Sequence, residues 1–228
     1  MRRTSKKIRI KEGFVTDGVA ISSYICKQQI KIYQTMTLTA LTSTTNTEPR
    51  LQPIDDPKSL KLKLAYWFTK KRVGKVITPV KVHYARFPEG LGLSKKIVDT
   101  DEKITVEPRL KYLIKVFIAT LNGCAFCVDI GKASAQKKNV DPDVFDDLLR
   151  FDESSQFTNA EKAALAYVDE ATRNKHVSDS TFERLQNHFN EREIVQITLL
   201  NAIENFYNLM NAPMNIGSDE LCEILSSE

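Results

Sequence analysis

The sequence lacks several features that would decide its class at once. No stretch approaches the ~20 consecutive apolar residues that a membrane-spanning helix requires, so no membrane partner is expected. Cysteine is sparse, four in 228 residues, and Cys26 and Cys222 stand alone. That is not the dense pattern of a secreted disulfide scaffold, and a reducing, cytoplasmic setting is the expectation. Histidine is sparser still: His83, His176 and His188 are far apart, and none forms a knuckle-type pair with a second ligand. Tetrahedral zinc wants four ligands, so a metal site is disfavoured, and nothing calls for a cofactor. Hairpin signals and convincing strands are also missing. Positive charge is confined to one end. Residues 1–35 hold eight Lys/Arg against two acidic residues, +6 of a net +4, which leaves the remainder at −2. A slightly acidic globular part argues against a nucleic-acid partner.

The N-terminal third is heterogeneous. Residues 14–26 follow a basic start, but they are short, contain Asp17 and two serines, and offer no clean small-residue cleavage site, which argues against a signal peptide. A threonine-rich stretch follows Met36. Residues 1–57 are therefore expected to form a mostly irregular basic and Thr-rich extension, with 1–35 dispensable ahead of a start at Met36. The functional alternative is a basic arm for an acidic partner. A helical domain is expected over 58–228.

The helical pattern is legible from residue 59 onward. Ser59 to Arg72 ends in a basic turn that suits a helix C-terminus, with Trp67 and Phe68 as core anchors. Residues 74–90 should be connecting structure with one short helix around 80–85. From Pro108, Leu110, Leu113, Ile114, Phe117, Ile118 and Leu121 recur at three and four, an amphipathic stripe running into Gly123. Asp141-Pro142 opens a short helix. Thr158-Asn-Ala-Glu161 and Ser180-Thr-Phe-Glu183 read as capping boxes. Asn190 begins the longest helix, which Pro213 ends. Its Asn201, Glu204, Asn205 and Asn208 form a polar stripe. Such a stripe is ordinarily a solvated face; otherwise it lines a polar pocket above the cysteines, with Glu204 as a base or proton carrier. These elements define an all-α bundle.

The chemistry sits in Leu121-Asn-Gly-Cys-Ala-Phe-Cys127. Gly123 stops one helix, and the next begins at or near Cys124. A thiol in the first helical turn faces unpaired N–H groups and the positive end of the dipole, which favour the thiolate. The i, i+3 spacing puts Cys124 and Cys127 on one face with Cα atoms ~5 Å apart, within disulfide reach. Two small buried apolar residues would be the bland alternative; the glycine and helix start beside them favour a redox pair.

Together with Asn190-Glu-Arg-Glu-Ile194 and Glu204-Asn-Phe-Tyr-Asn208, this stretch resembles the carboxymuconolactone decarboxylase/alkylhydroperoxidase D family over roughly 58–225. The resemblance implies an alkylhydroperoxidase D-like helical bundle assembling into homo-oligomers, usually trimers or hexamers. It implies that Cys127 attacks a peroxide and Cys124 resolves the product as a disulfide, with a dihydrolipoyl or other dithiol reductant and a role in antioxidant defence. The family's peroxidatic pattern also places a glutamate twelve residues before the first cysteine and a histidine four after the second. Here those positions are Tyr112 and Gly131. The helix N-terminus remains, with Lys115 or Lys132 as cations and Tyr112 or Glu204 as substitute proton carriers. Asp129, beside the pair, should oppose ionisation. The expected function is a dithiol/disulfide oxidoreductase acting on hydroperoxides or disulfides. Its alternative is a redox-sensing or scaffold member with little turnover.

Overall fold

The computed structural model describes residues 48–226, so the expectations for the N-terminal basic segment lie outside the described residues. The described chain is helical throughout. In order come α1 (Leu60–Val73), a π-helical turn (Val80–Tyr84), α2 (Gly90–Asp101), α3 (Pro108–Leu121) and α4 (Ala125–Gln136). A 3₁₀ helix (Pro142–Arg150), α5 (Asn159–Asn174), α6 (Asp179–Gln186), α7 (Glu191–Asn211), a 3₁₀ turn (Ala212–Met214) and α8 (Leu221–Ser226) follow. No strand occurs among the described residues.

α3 is the central element because it is apolar on almost every side. Glu107 caps it, its Oε2 accepting from the Leu110 N–H at 2.9 Å, and Pro108 occupies the first position, where no N–H is needed. Leu113, Ile114, Phe117 and Ile118 are fully buried, and α4, α5 and α7 all pack on this helix. α5 and α7 both begin with reciprocal capping boxes, Thr158 with Glu161 and Asn190 with Glu193. Asp141 caps the segment that follows α4, which winds as a 3₁₀ helix.

Two expectations need correction. Trp67 and Phe68 are more than half exposed; α1 buries Leu62 and Tyr66 instead, an i, i+4 pair that turns 67 and 68 away from the core. Tyr66 donates its hydroxyl to the Ile54 carbonyl, and this tie helps fix which face of α1 looks inward. α6 is capped by Ser178, not Ser180: Ser178 Oγ accepts from the Thr181 N–H at 3.4 Å, and its own N–H goes to Glu170 Oε2 at 2.7 Å. The carboxylate that completes this cap therefore comes from α5, eight residues upstream, beyond the reach of a local pattern. α2, where the sequence pattern led to no expected element, has no buried residue.

The C-terminal segment is strapped back onto the helix that follows the cysteines. Asp129, buried on α4, accepts from the backbone N–H groups of Asp219 (2.9 Å), Leu221 (3.0 Å) and Cys222 (3.1 Å). Asp219 is buried in turn, with one carboxylate oxygen on the Thr78 N–H and the other on its hydroxyl, both at 2.7 Å. Ile216 and Leu221 are thereby held in a second, smaller apolar cluster that also contains Val82, Phe126, Cys124 and Cys127.

Candidate functional site

The site begins with the way α3 ends. Gly123 takes φ +65°, a left-handed conformation that a side chain disfavours. The Gly123 N–H then bonds the Thr120 carbonyl at 3.2 Å, and the Cys124 N–H bonds that of Ala119 at 2.9 Å, the paired bonds of a Schellman motif. Cys124 is at once the last residue of that motif and the N-cap of α4, its Sγ accepting from the Cys127 N–H at 3.3 Å. Cys124 and Cys127 are closed as a disulfide, with Cα atoms 5.2 Å apart, and both residues are buried. The expectation of a helix-start pair within disulfide reach is met.

Above the pair lies the polar face of α7, which is not solvated. Glu204 and Asn208 are buried, and Asn201 and Asn205 are half-buried. Asn122, two residues before Cys124, donates from Nδ2 to Asn208 Oδ1 at 2.8 Å and to Asn205 Oδ1 at 3.0 Å. Asn208 Nδ2 donates to Glu204 Oε1 at 2.8 Å. The polar stripe therefore serves to hold the turn that presents the cysteines. Burial raises the Glu204 carboxyl to about 7, opposed by Lys115 and the Asn208 hydrogen bond. A carboxyl in that range gives and takes protons near neutrality.

The other expected helpers scatter. Tyr112 is half-buried, and burial raises its hydroxyl above the ordinary range, with Lys115 acting against the shift. Lys115 itself pairs with Asp101 at 3.3 Å. Lys132 lies 3.9 Å from Asp146 and 5.8 Å from the centre of the Phe145 ring. Asp129 turns both carboxylate oxygens to the backbone of the C-terminal strap. Its electrostatic effect falls on Cys222, whose thiol is raised to about 11 chiefly by burial and then by Asp129. Gly131 is buried against α3, and a Cβ there would come within 2.9 Å of Val116 Cγ2.

Three further residues gather at the pair. Asn211, buried at the end of α7, places Nδ2 3.5 Å from Cys127 Sγ. It continues the Glu204, Asn208 stripe at i+7, so the periodicity carried a signal for it. His83 does not stand alone. Burial lowers its imidazole pKa while Asn211 acts to raise it, which brings the π-helical turn into the site. Tyr207 packs on the cysteine cluster, its hydroxyl pushed up to about 12 mainly by burial, with Ser94 opposing. His83 and Tyr207 sit on no pattern that involves the cysteines, and only the folded chain reveals them.

An all-helical bundle that presents a buried CxxC disulfide at a helix start defines a class of thiol-bearing helical proteins. Residues 95–170 match the model of the carboxymuconolactone decarboxylase family. The uncharacterized protein YnjA of Escherichia coli (strain K12) is 26% identical over 161 residues, covering 69% of this chain and 88% of that one. ATU0492 of Agrobacterium tumefaciens is of unknown function, with a suggested description as the antioxidant defence protein AhpD. Its structure aligns with TM-score 0.57 at 28% identity, over 60% of this chain and 96% of its own. The debrominase Bmp8 shares the fold, with TM-score 0.65 at 18% identity over 77% of this chain and 95% of its own.

Proposed function

We propose that the chain is a dithiol/disulfide oxidoreductase of the alkylhydroperoxidase type, with Cys127 as the attacking thiol and Cys124 as the resolving one. The observation that carries this reading is the disulfide itself, closed across the first turn of α4 beneath a polar face that includes Glu204. In the reaction, the Cys127 thiolate takes the terminal oxygen of a hydroperoxide. The O–O bond breaks, and the alkoxide leaves as an alcohol once it gains a proton. Cys124 then attacks the sulfenic sulfur of Cys127, water departs and the disulfide forms. A dithiol reductant of dihydrolipoyl type returns the pair to two thiols. Glu204, whose carboxyl is raised to about 7 by burial, is suited to supply and recover these protons. Assembly into a homo-oligomer belongs to the same proposal.

The test is turnover of an organic hydroperoxide with a dihydrolipoyl reductant. Cys127→Ser should abolish it, and Cys124→Ser should stop after one equivalent with a sulfenic acid on Cys127. Wild-type turnover by Cys127→Ser ends the reading. One observation favours a second reading, a redox switch without turnover: both cysteines are buried, Cys124 at 0% and Cys127 at 4% exposure. A switch consumes one equivalent of oxidant per pair and stops, even with excess reductant.

A further inference from the structure

Among the described residues, four buried side-chain polar atoms have no partner at hydrogen-bond geometry, and two of them belong to residues that act on each other. They are His83 Nε2 and Asn211 Oδ1. Asn211 acts to raise the His83 pKa, as an acceptor beside an imidazole does, and its Nδ2 lies 3.5 Å from Cys127 Sγ. A buried amide whose oxygen is unpartnered and whose nitrogen meets a disulfide sulfur is an incomplete arrangement. His83 Nε2 and Asn211 Oδ1 are both left without a partner, while the amide nitrogen meets a sulfur that accepts weakly.

The oxidation state accounts for this. In the disulfide, Cys127 Sγ carries no charge and accepts hydrogen bonds weakly. A thiolate is a far stronger acceptor, and hydrogen bonds to charged groups are the shorter and stronger kind. We propose that His83 and Asn211 are positioning residues for the Cys127 thiolate: on reduction, His83 Nε2–H donates to Asn211 Oδ1 and Asn211 Nδ2–H donates to Cys127 Sγ. An asparagine amide can face either way. Turned over, it would aim its oxygen at the sulfur and oppose ionisation. A donor at His83 Nε2 makes the productive orientation the one that satisfies both ends. Fixing the Asn211 amide in this way needs no imidazolium, since the neutral Nε2–H tautomer donates equally well. That matters because burial and Arg86, the second opposing influence, both disfavour the charged imidazole. Tyr84 lies edge-on to His83, with ring centres 6.4 Å apart.

The geometry around His83 suits this work. It lies in the π-helical turn, where the Ala85 N–H bonds the Val80 carbonyl five residues back at 3.0 Å. Such turns widen the helix and re-aim side chains, and they recur at functional sites. Val82, the neighbour of His83, is packed in the cysteine cluster, so the turn is anchored against the disulfide. The arrangement occupies neither Tyr112 nor Gly131 and reaches the sulfur from the opposite end of α7 to Asn190.

The inference deepens the reading of Cys127 as the attacking sulfur, and its test is independent of turnover. In the reduced full chain, iodoacetamide labelling of Cys127 is followed against pH by mass spectrometry. Asn211→Ala and His83→Leu should each raise the apparent Cys127 pKa by about one unit, about tenfold slower labelling near neutrality. His83→Gln should restore near wild-type labelling, because its amide N–H stands in for Nε2–H. The dithiol–disulfide equilibrium should move the same way, about tenfold toward the disulfide in both damaging variants. Unchanged labelling in either Asn211→Ala or His83→Leu overturns the proposal, and so does His83→Gln behaving like His83→Leu. A further readout needs no variant: the ¹⁵N spectrum of reduced wild-type protein should show His83 protonated at Nε2, and an Nδ1–H tautomer overturns the proposal. If labelling follows these expectations while no hydroperoxide is turned over, the oxidoreductase reading fails and the positioning role stands.

Discussion

The two buried clusters of this protein are built on opposite terms. The larger one, around α3, α5 and α7, is closed with respect to chemistry: Leu113, Ile114, Phe117, Ile118, Leu165 and Leu200 fill it, and none of them has a polar atom to satisfy. The smaller one holds the cysteines, and three of the four unpartnered buried polar atoms gather on it or beside it, on His83, Tyr207 and Asn211. Buried polar groups without partners cost stability, so their concentration in one cluster marks where stability has been traded for chemistry. The large cluster sets the fold, and the small one is a site mounted on its flank through α4 and α7.

The contrast can be broken most forcefully in the large cluster. Phe117 is buried and packs edge-on against Phe151, with ring centres 5.4 Å apart. Phe117→Ala should remove about 4 kcal/mol, transfer and cavity terms combined. Denaturant unfolding of the oxidised protein should show that loss as a lower midpoint at unchanged slope. A loss below ~1 kcal/mol would mean that α3 is not the element on which the fold depends.

The second effect is sharper because its sign depends on pH. Glu204 is raised from 4.5 to about 7 by burial. A group whose folded pKa exceeds its unfolded value contributes fully below the unfolded value, and that contribution is lost as pH rises through the folded one. Wild-type stability should therefore fall between pH ~4.5 and ~7 by about 3 kcal/mol from this group, then level off. Glu204→Gln keeps an acceptor for Asn208 Nδ2 and removes the charge. It should match the wild type near pH 4 and exceed it by about 3 kcal/mol at pH 8. Parallel stability curves for the two proteins would show that Glu204 is not a buried carboxyl of this kind. If Glu204 is also the proton carrier, the same substitution removes the limb of the activity profile near pH 7 while the fold gains stability.

These tests bear on what could be read from the sequence. The large cluster was legible because a helix buried on one face repeats its apolar residues at three and four, and α3, α5 and α7 all do so. Caps were legible where both halves are local, as at Thr158 and Asn190, and misread at Ser178, whose partner Glu170 lies on another helix. The cysteine pair was legible because Asn-Gly-Cys encodes both a helix stop and a helix start. The rest of the site was not, for one physical reason. Asn211 reaches the Cys127 sulfur, and His83 and Tyr207 join the site, across contacts between helices, and no spacing along the chain records which helices touch. Asn211 came nearest to being visible, as the next step of the α7 polar stripe. The role of Asp129 in the C-terminal strap was hidden on the same ground, because its partners lie about 90 residues away along the chain.

Gly131 gives the smallest effect and the finest test of the division between the clusters. It stands where a histidine completes the related peroxidatic pattern, so Gly131→His invites trial as a repair of the missing relay. The packing argues otherwise. A Cβ at 131 meets Val116 Cγ2 at 2.9 Å, closer than carbon atoms approach without displacement. Val116 is 1% exposed, and a β-branched side chain in a helix has one strongly preferred rotamer, so it cannot swing aside cheaply. Gly131→Ala would ordinarily stabilise a helix by ~1 kcal/mol. Here, overpacking by a methyl group costs about 1–3 kcal/mol, so the net change should be a loss of about 1 kcal/mol. Calorimetry on the oxidised protein distinguishes the two signs. A lower Tm for Gly131→Ala, with a larger fall for Gly131→His and no gain in hydroperoxide turnover, would establish that this glycine is required by the approach of α4 to α3. Proton handling in this chain then has to come from residues outside the CxxC helix. A higher Tm for Gly131→Ala would show instead that the α3–α4 contact has room, and Gly131→His would become a fair trial of the older relay.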